Sequence, residues 1–297
     1  MNTAKMKRSR EDIIFDIVKF LILGTALIVV LYPLYFIIIA SISDPTAVSA
    51  GKVLIRPVGI NFEGFLRIFQ DDMIWIGYRN TILYTVVGTL INITLTLTLA
   101  YPLSRKDFKF GGFLMIFLLI TMYFNGGLIP RYILVKNLGL LDHWQVLVII
   151  NAVNVFNVII ARTFLRNSIP ESLYEAAIID GCDHVTFLIK IVLPLSKAII
   201  AVLILYYGVF HWNEYFTSLI YISNEDQYPL QLVLRSILIE NQLNDSMLMD
   251  VNISDHKDVA ESIKYGVIIV STLPVLVLYM FMQKYFVQGV MIGSVKG

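Results

Sequence analysis

The chain has 297 residues, of which 57% are hydrophobic and 15% are charged, with a formal net charge of +1. Soluble proteins carry about 25% charged residues, so this composition predicts a protein that is surrounded by lipid. The near-zero net charge provides no basic field for nucleic acid, and a single cysteine, Cys182, excludes an internal disulfide.

Six apolar stretches are long enough, or nearly so, to cross a bilayer core as helices of about 20 residues. In chain order they are residues 20–40, 81–103, 110–130, 144–161, 198–222 and 265–283. Backbone groups in lipid must bond internally, so each stretch is predicted to be a helix, with kinks at Pro33 and Pro274. The first stretch is too long for the apolar core of a cleavable signal, which predicts a retained span. We therefore predict an all-α membrane protein with about six transmembrane helices.

Basic residues are concentrated in every second segment outside the apolar stretches. They cluster in the amino-terminal tail, after the second stretch and after the fourth, at Lys5, Lys7, Arg8, Arg10, Lys19, Arg105, Lys106, Lys109, Arg162, Arg166, Lys190 and Lys197. With six spans these segments share one side, which the positive-inside rule places in the cytoplasm. The predicted organisation is a cytoplasmic tail 1–19, a six-span domain 20–284 and a cytoplasmic tail 285–297. Within the domain lie a cytoplasmic loop 162–197 and an acidic outer loop 223–263.

Three amides recur every three residues in the fourth stretch, at Asn151, Asn154 and Asn157. On one helix they share a face within an arc of about 120°, which must point at protein or water because amides are costly in lipid. That face either lines a pathway or forms interhelical hydrogen bonds. Glu214, about 24 Å along the fifth stretch from its cytoplasmic end, is a functional candidate or a structural hydrogen-bonding group. His211 is expected to be a packed or interfacial imidazole rather than a proton relay.

The loop 162–197 is too polar to cross the membrane and is predicted to fold as a helix–turn–helix elbow. Ser168 is the expected N-cap of the first helix, with a glutamate three residues later completing a capping box. Gly181 follows where a left-handed C-cap would end that helix. A second helix is predicted over residues 183–193, ending at Pro194 because proline has no N–H to continue it.

Within that loop, Glu175-Ala176-Ala177, Gly181 and Ile191-Val192-Leu193-Pro194 have a distinctive spacing. The segment resembles the EAA loop of binding-protein-dependent ABC import permeases, although Cys182 stands where that family often has alanine. The resemblance implies that the short helix docks in a groove of an ATP-binding subunit and transmits its closure to the membrane helices. The alternative is an ordinary amphipathic intracellular loop. The residues implied in ATPase coupling are Glu175, Ala176, Ala177, Asp180, Gly181, Leu193 and Pro194.

Four further segments resemble carbohydrate permeases of the maltose-importer type. His211-Trp212-Asn213-Glu214-Tyr215 is similar to a tryptophan–asparagine–glutamate signature, which adds Trp212, Asn213 and Glu214 to the candidate pathway residues. Residues 125–130, 227–231 and 289–297 are similar to the subgroup that imports oligosaccharides, including fragments of plant polysaccharides. The resemblance also implies that the carboxyl-terminal tail inserts between two ATP-binding subunits, and a disordered tail is the alternative.

The resemblance as a whole implies a permease subunit that forms half of the translocation pathway for an oligosaccharide. The implied partners are a second homologous permease, two ATP-binding subunits and an extracellular sugar-binding lipoprotein, at the bacterial inner membrane. The chain has no G-x-x-x-x-G-K-[ST] sequence, so we expect no cofactor on it, and ATP with magnesium on the ATPase subunits. A secondary transporter would show internal repeats and paired broken helices, and a membrane enzyme would need a clustered nucleophile or metal ligands. The sequence shows none of these, which predicts a non-catalytic subunit.

Overall fold

The computed structural model describes residues 9–247, 263–281 and 283, and the described part is helical without β-strands. This confirms the all-α class. Besides α-helices, the described part contains a π-helical turn, Leu188–Val192, and a 3-10 turn, Glu225–Gln227. The helices are α1 Arg10–Ser41, α2 Pro45–Ser49, α3 Glu63–Gln70, α4 Asp72–Ser104, α5 Gly111–Tyr123, α6 Leu128–Asn137, α7 Gln145–Ile149, α8 Val155–Ser168, α9 Glu171–Ile179, α10 His184–Phe187, α11 Leu193–Leu195, α12 Lys197–Trp212, α13 Phe216–Tyr221, α14 Leu230–Met247 and α15 Ile263–Phe281.

Three of the helices, α1, α4 and α15, are each long and apolar enough to cross a membrane. They confirm helices at the first, second and sixth predicted stretches. Two bent helix pairs pass the same test of length and composition together, which gives three to five candidate spans among the described residues. The count of six spans therefore stays a prediction.

The third predicted stretch, 110–130, is not one straight helix. The chain bends by 109° between α5 and α6. Gly127, at the start of α6, has a φ of 85°, which favours glycine because a side chain is strained there. Asn125 Oδ1 accepts the Gly127 N–H at 2.9 Å and fixes the turn. An asparagine–glycine turn thus interrupts an otherwise apolar run.

The fourth predicted stretch, 144–161, is also broken, and the expectation of one continuous helix is wrong. The first helix, α7, ends at Ile149 and α8 begins at Val155. Asn154 is the N-cap of α8, and its Oδ1 accepts the Asn157 N–H at 3.2 Å. Asparagine side chains compete with the backbone for such bonds and favour helix starts over helix interiors. The three asparagines consequently do not lie on one helical face.

The fifth predicted stretch, 198–222, ends early as a helix. Helix α12 stops at Trp212, and α13 begins at Phe216. Beyond it, part of the predicted outer loop 223–263 is helical, as α14 shows, and residues 248–262 of that loop lie outside the described residues. The apolar part of α14, Leu230–Ile239, is too short to cross a membrane.

The chain divides into two compact units, Met1–Gln70 with Leu238–Val270 and Asp71–Ile237 with Ser271–Gly297. In the described part of the first unit, a small core forms where α1 meets the segment around α2. Its members are Ile39, Ala40, Ala47, Val48 and Val53, with Phe36 edge-on to Tyr265. In the second unit α4 is the central helix, because α12, α8, α7 and α5 all pack against it. The second unit holds both regions that the sequence singles out for function.

Candidate functional site

The first region is the elbow between α8 and α12. Helix α9 ends in a Schellman motif, in which Gly181 has a φ of 74°. The Gly181 N–H donates to Ile178 O and the Cys182 N–H to Ala177 O, both at 2.9 Å. These bonds satisfy the last carbonyls of the helix and reverse the chain sharply. The left-handed turn predicted at Gly181 is thus confirmed.

The predicted capping box is wrong. The N-cap of α9 is Pro170, whereas Ser168 is the last residue of α8. Ser168 Oγ has no hydrogen-bond partner in the described part of the chain. Helix α8 continues far enough for the Ile169 N–H to bond Leu165 O at 3.1 Å. Pro170 begins the next helix by its restricted φ, without a side-chain cap.

The second arm of the elbow begins as predicted, with Asp183 as N-cap of α10. The Thr186 hydroxyl bonds the Asp183 carboxylate and, with nearby backbone N–H groups, holds the pKa of Asp183 below its usual range. Pro194 does not end the arm, which extends to Leu195. The π-helical turn before it has wider hydrogen-bond spacing, and the Leu193 N–H reaches back to Leu188 O.

The elbow presents an exposed face. Tyr174 and Ala177 are buried on the inner side of α9, while Ile179 is 85% exposed at its end. The implied coupling residues on this outer side, and at Pro194, are exposed: Glu175, Ala176, Asp180, Gly181 and Pro194. Leu193 is partly buried against the core of the unit. A solvent-facing isoleucine beside small and acidic residues is a surface suited to packing against another chain.

The second region is a cavity lined by α12, by the start of α8 and by the break before α8. Its volume is about 310 Å³. The three candidate asparagines meet here although they share no helical face. The lining residues are Asn151, Val153, Asn154, Phe156, Asn157, Tyr206, Tyr207 and Phe210. Aromatic side chains spaced three or four apart on α12 were a readable signal of one shared face, which the sequence analysis missed.

The tryptophan–asparagine–glutamate signature lies at a different place. Trp212 Nε1 donates to Ser271 O at 2.9 Å and Trp212 lines a second, apolar cavity of about 210 Å³. Asn213 Nδ2 donates to Val209 O at 2.8 Å, and Glu214 accepts the Thr217 N–H at 2.7 Å. Asn213 therefore bonds a carbonyl at the end of α12, and Glu214 bonds an N–H in the first turn of α13. Their part in a substrate pathway stays a prediction.

A buried polar bridge joins α4 to the break in the fourth stretch and to the last turn of α12. Asn92 is fully buried on α4, and its Nδ2 donates to Asn151 O at 2.7 Å. Its Oδ1 lies 2.9 Å from His211 Nε2 on α12, and His211 is 3% exposed. Gly88, one turn before Asn92, gives the imidazole room to pack. His211 is thus the packed imidazole that was expected, and Asn92 is a residue the sequence analysis missed.

The segment 224–231 is fixed at the other end of α4. Asn80 Nδ2 donates to the carbonyls of Asp226 and Tyr228 at 2.7 and 3.0 Å. Asp142 has a φ of 60° and accepts the N–H groups of Asn224 and Ser223. These two bonds hold the pKa of Asp142 below its usual range. The motif 227–231 therefore lies in a segment that is tied to α4 by hydrogen bonds.

Comparison with known proteins agrees with this architecture. Residues 73–292 match the family described as "Binding-protein-dependent transport system inner membrane component". The chain is 39% identical, over 92% of its length and 94% of the relative's, to the polygalacturonan/rhamnogalacturonan transport system permease protein YtcP of Bacillus subtilis (strain 168). It is 36% identical to protein LplC of the same organism, over 98% of both chains.

A solved structure is also similar. It is a chain in the crystal structure of a bacterial ABC transporter involved in the import of the acidic polysaccharide alginate, with a TM-score of 0.84 and 34% identity. The match covers 94% of this chain and 99% of that chain. The chain therefore belongs to the family of binding-protein-dependent transport system inner membrane components, the membrane permeases of ABC importers.

Proposed function

We propose that this chain forms one half of the translocation pathway for an oligosaccharide and couples that pathway to a separate ATPase subunit. The observation that carries this proposal is the elbow, a rigid turn with an exposed outer face in a chain that belongs to a permease family. A second homologous permease would complete the pathway, and an extracellular binding protein would deliver the substrate. ATP and magnesium would bind to two ATPase subunits, and the chain itself would be non-catalytic.

The cavity beside the break before α8 supports an oligosaccharide as the substrate. Amides can donate and accept hydrogen bonds to hydroxyl groups, and aromatic rings offer apolar faces to sugar rings. Binding sites combine an apolar lining with a few polar groups in this way. Two of the similar proteins are named for the transport of polysaccharides, one for polygalacturonan/rhamnogalacturonan and one for alginate. We infer that fragments of a polysaccharide pass this cavity, with Asn151, Asn154 and Asn157 as the hydrogen-bonding groups.

Uptake driven by ATP distinguishes this proposal from a proton- or sodium-coupled transporter. The assembled complex, in vesicles with the binding protein and an oligogalacturonate as probe, should import the sugar when ATP is inside and ionophores have collapsed the membrane potential. Vanadate, which traps the ATPase, should stop the uptake. Import that needs the potential and continues without ATP would overturn the proposal.

We also propose six spans with both termini in the cytoplasm, since the basic segments alternate along the chain. The tail 285–297, which would insert between the ATPase subunits, lies outside the described residues. In a Cys182→Ala background, Glu225→Cys should react with a membrane-impermeant maleimide on intact cells and Lys106→Cys should not. Both positions are exposed, so the reverse pattern would mean that the orientation is inverted.

The amides of the cavity are expected to affect substrate affinity more than stability. Asn154→Ser keeps an oxygen that can cap α8, because serine and asparagine are similarly good N-caps, but removes the amide donors. We expect the apparent KM for the imported sugar to rise by about tenfold, the effect of about 1.4 kcal/mol in binding. Uptake kinetics and the melting temperature of the purified complex measure the two quantities.

Asn167→Ser is the matched control, because it is the same substitution at an exposed position of α8 that does not line the cavity. It should leave the apparent KM unchanged. If Asn154→Ser lowered the melting temperature and left the KM and the sugar preference as in the parent, the asparagine would serve packing instead.

A further inference from the structure

Arg105, the residue that follows α4, has its guanidinium against the elbow. Its side chain is only 9% exposed. The Cζ atom lies 3.4 Å from the centroid of the Tyr174 ring, and Nη2 donates to Glu171 Oε1 at 2.8 Å. Nε donates to Asp107 Oδ1 at 3.2 Å. The guanidinium therefore stacks on an aromatic ring and pairs with two carboxylates at once.

Two of these partners belong to the same helix of the elbow. Glu171 begins α9, and Tyr174 follows three residues later on the same side of the helix. Arginine can stack its planar group and donate from its edge simultaneously, whereas the compact ammonium of lysine cannot do both. The neighbouring basic residues Lys106 and Lys109 are exposed. Arg105 is thus set apart by its contacts from the other charges of this loop.

The apolar side of the same contact joins α4 to both arms of the elbow. Phe187 on α10 is 1% exposed, and its ring lies edge-on to Tyr174 with centroids 5.2 Å apart. The Phe187 ring also lies 6.4 Å from that of Tyr101, in the last turn of α4. Arg162 Nε on α8 donates to Leu103 O at 2.8 Å, which satisfies a carbonyl at the end of α4. The end of α4 and the elbow therefore pack as one body.

We propose that Arg105 is a positioning residue that transmits movement of the elbow to α4 and so to the cavity. We call its contacts with Glu171 and Tyr174 the Arg105 latch. From the latch, α4 runs about 20 Å, at 1.5 Å per residue, to Asn92. Asn92 bonds the carbonyl of Asn151, which lines the cavity. A continuous chain of packed and hydrogen-bonded groups therefore connects the docking element with the cavity wall. The inference rests on the proposed function of the elbow.

The test measures how accessible the cavity lining is to a label, and it requires no identified sugar. In the Cys182→Ala background, Val153→Cys places a label in the cavity lining, where Val153 is exposed. A maleimide labels the assembled complex with and without ATP, magnesium and vanadate. In the parent, trapped nucleotide should change the labelling rate. In Arg105→Gln we expect that nucleotide-dependent change to shrink about tenfold, or about 1.4 kcal/mol of coupling.

ATPase subunits should still co-purify with Arg105→Gln. The nucleotide-dependent change in labelling rate of Arg105→Lys should lie between that of Arg105→Gln and that of the parent. Lys109→Gln removes a positive charge from the same loop without touching the latch, so it should behave as the parent. Glu171→Gln removes the ion pair and keeps the shape of the side chain, at a half-exposed position. It should also weaken the nucleotide response, and it provides the test if Arg105→Gln fails to assemble.

An unchanged nucleotide response in Arg105→Gln and in Glu171→Gln would overturn the latch. Loss of the ATPase subunits from both variants would also overturn it, because that outcome means a structural role. The Gly181→Leu variant separates this failure from a failure of the proposed function. If Gly181→Leu retained the full nucleotide response, the elbow itself would not be the docking element. If Gly181→Leu lost it and the latch variants kept it, the latch alone would be wrong.

Discussion

Replacing Gly181 by leucine is expected to abolish ATP hydrolysis stimulated by the binding protein, while the permease still inserts in the membrane. Gly181 has a φ of 74°, in the left-handed region, where a residue with a side chain has a conformational energy about 1–2 kcal/mol less favourable. Apart from the adjacent residues, no heavy atom of the described chain would lie within 4 Å of a Cβ at this position. The penalty is therefore conformational and not a clash. Relief of the strain would open the Schellman turn and displace the exposed end of α9 from its partner.

Asparagine provides the matched control, because it tolerates the left-handed conformation better than other residues with a side chain. Gly181→Asn should retain most of the stimulated ATPase. Glu175→Lys, which reverses the charge on the exposed face of α9, should lose it without disturbing the turn. Stimulated hydrolysis at the parent rate in both Gly181→Leu and Glu175→Lys, in the assembled complex, would mean that the elbow does not dock to the ATPase.

A second large effect is expected at Gly88, inside the membrane. A Cβ at this position would lie 2.4 Å from His211 Nε2 and 2.6 Å from Cε1, which is shorter than a non-bonded contact allows. The imidazole has little freedom to move because it is 3% exposed and bonded to Asn92. Overpacking of this kind costs about 1–3 kcal/mol. We expect Gly88→Ala to lower the melting temperature of the purified complex and to reduce uptake.

The clash can be removed from the other side. Gly88→Ala combined with His211→Ala should lose less stability than the two single changes added together, because the new methyl group then occupies part of the space that the imidazole leaves. Gly112→Ala is a suitable control, since no described atom lies within 4 Å of its added Cβ, and it should melt as the parent does. Equal melting temperatures for Gly88→Ala and the parent would show that α4 and α12 are not packed as closely as described.

The amino-acid sequence by itself determined those features that depend on local chemistry. Its apolar stretches indicated a helical membrane protein, because lipid leaves helices as the main way to satisfy the backbone. The spacing of Glu175-Ala176-Ala177 and Gly181 located the elbow, and the left-handed turn followed from the glycine alone. The second arm was predicted to begin at about residue 183, and Asp183 is its N-cap, a position that aspartate favours.

Only the tertiary structure decided where the long apolar stretches break and what the breaks place together. Hydrophobicity reports whether a segment suits lipid, but it carries no information on whether an asparagine within that segment faces a neighbour or starts a new helix. Asn154 caps α8, and the break it marks gathers the asparagines around a cavity with the aromatic rings of α12. Asn151 and His211 lie 59 and 119 residues from Asn92 along the chain, and Glu171 lies 66 residues from Arg105. No local pattern encodes such separations, because those contacts depend on how α4 packs against the rest of its unit.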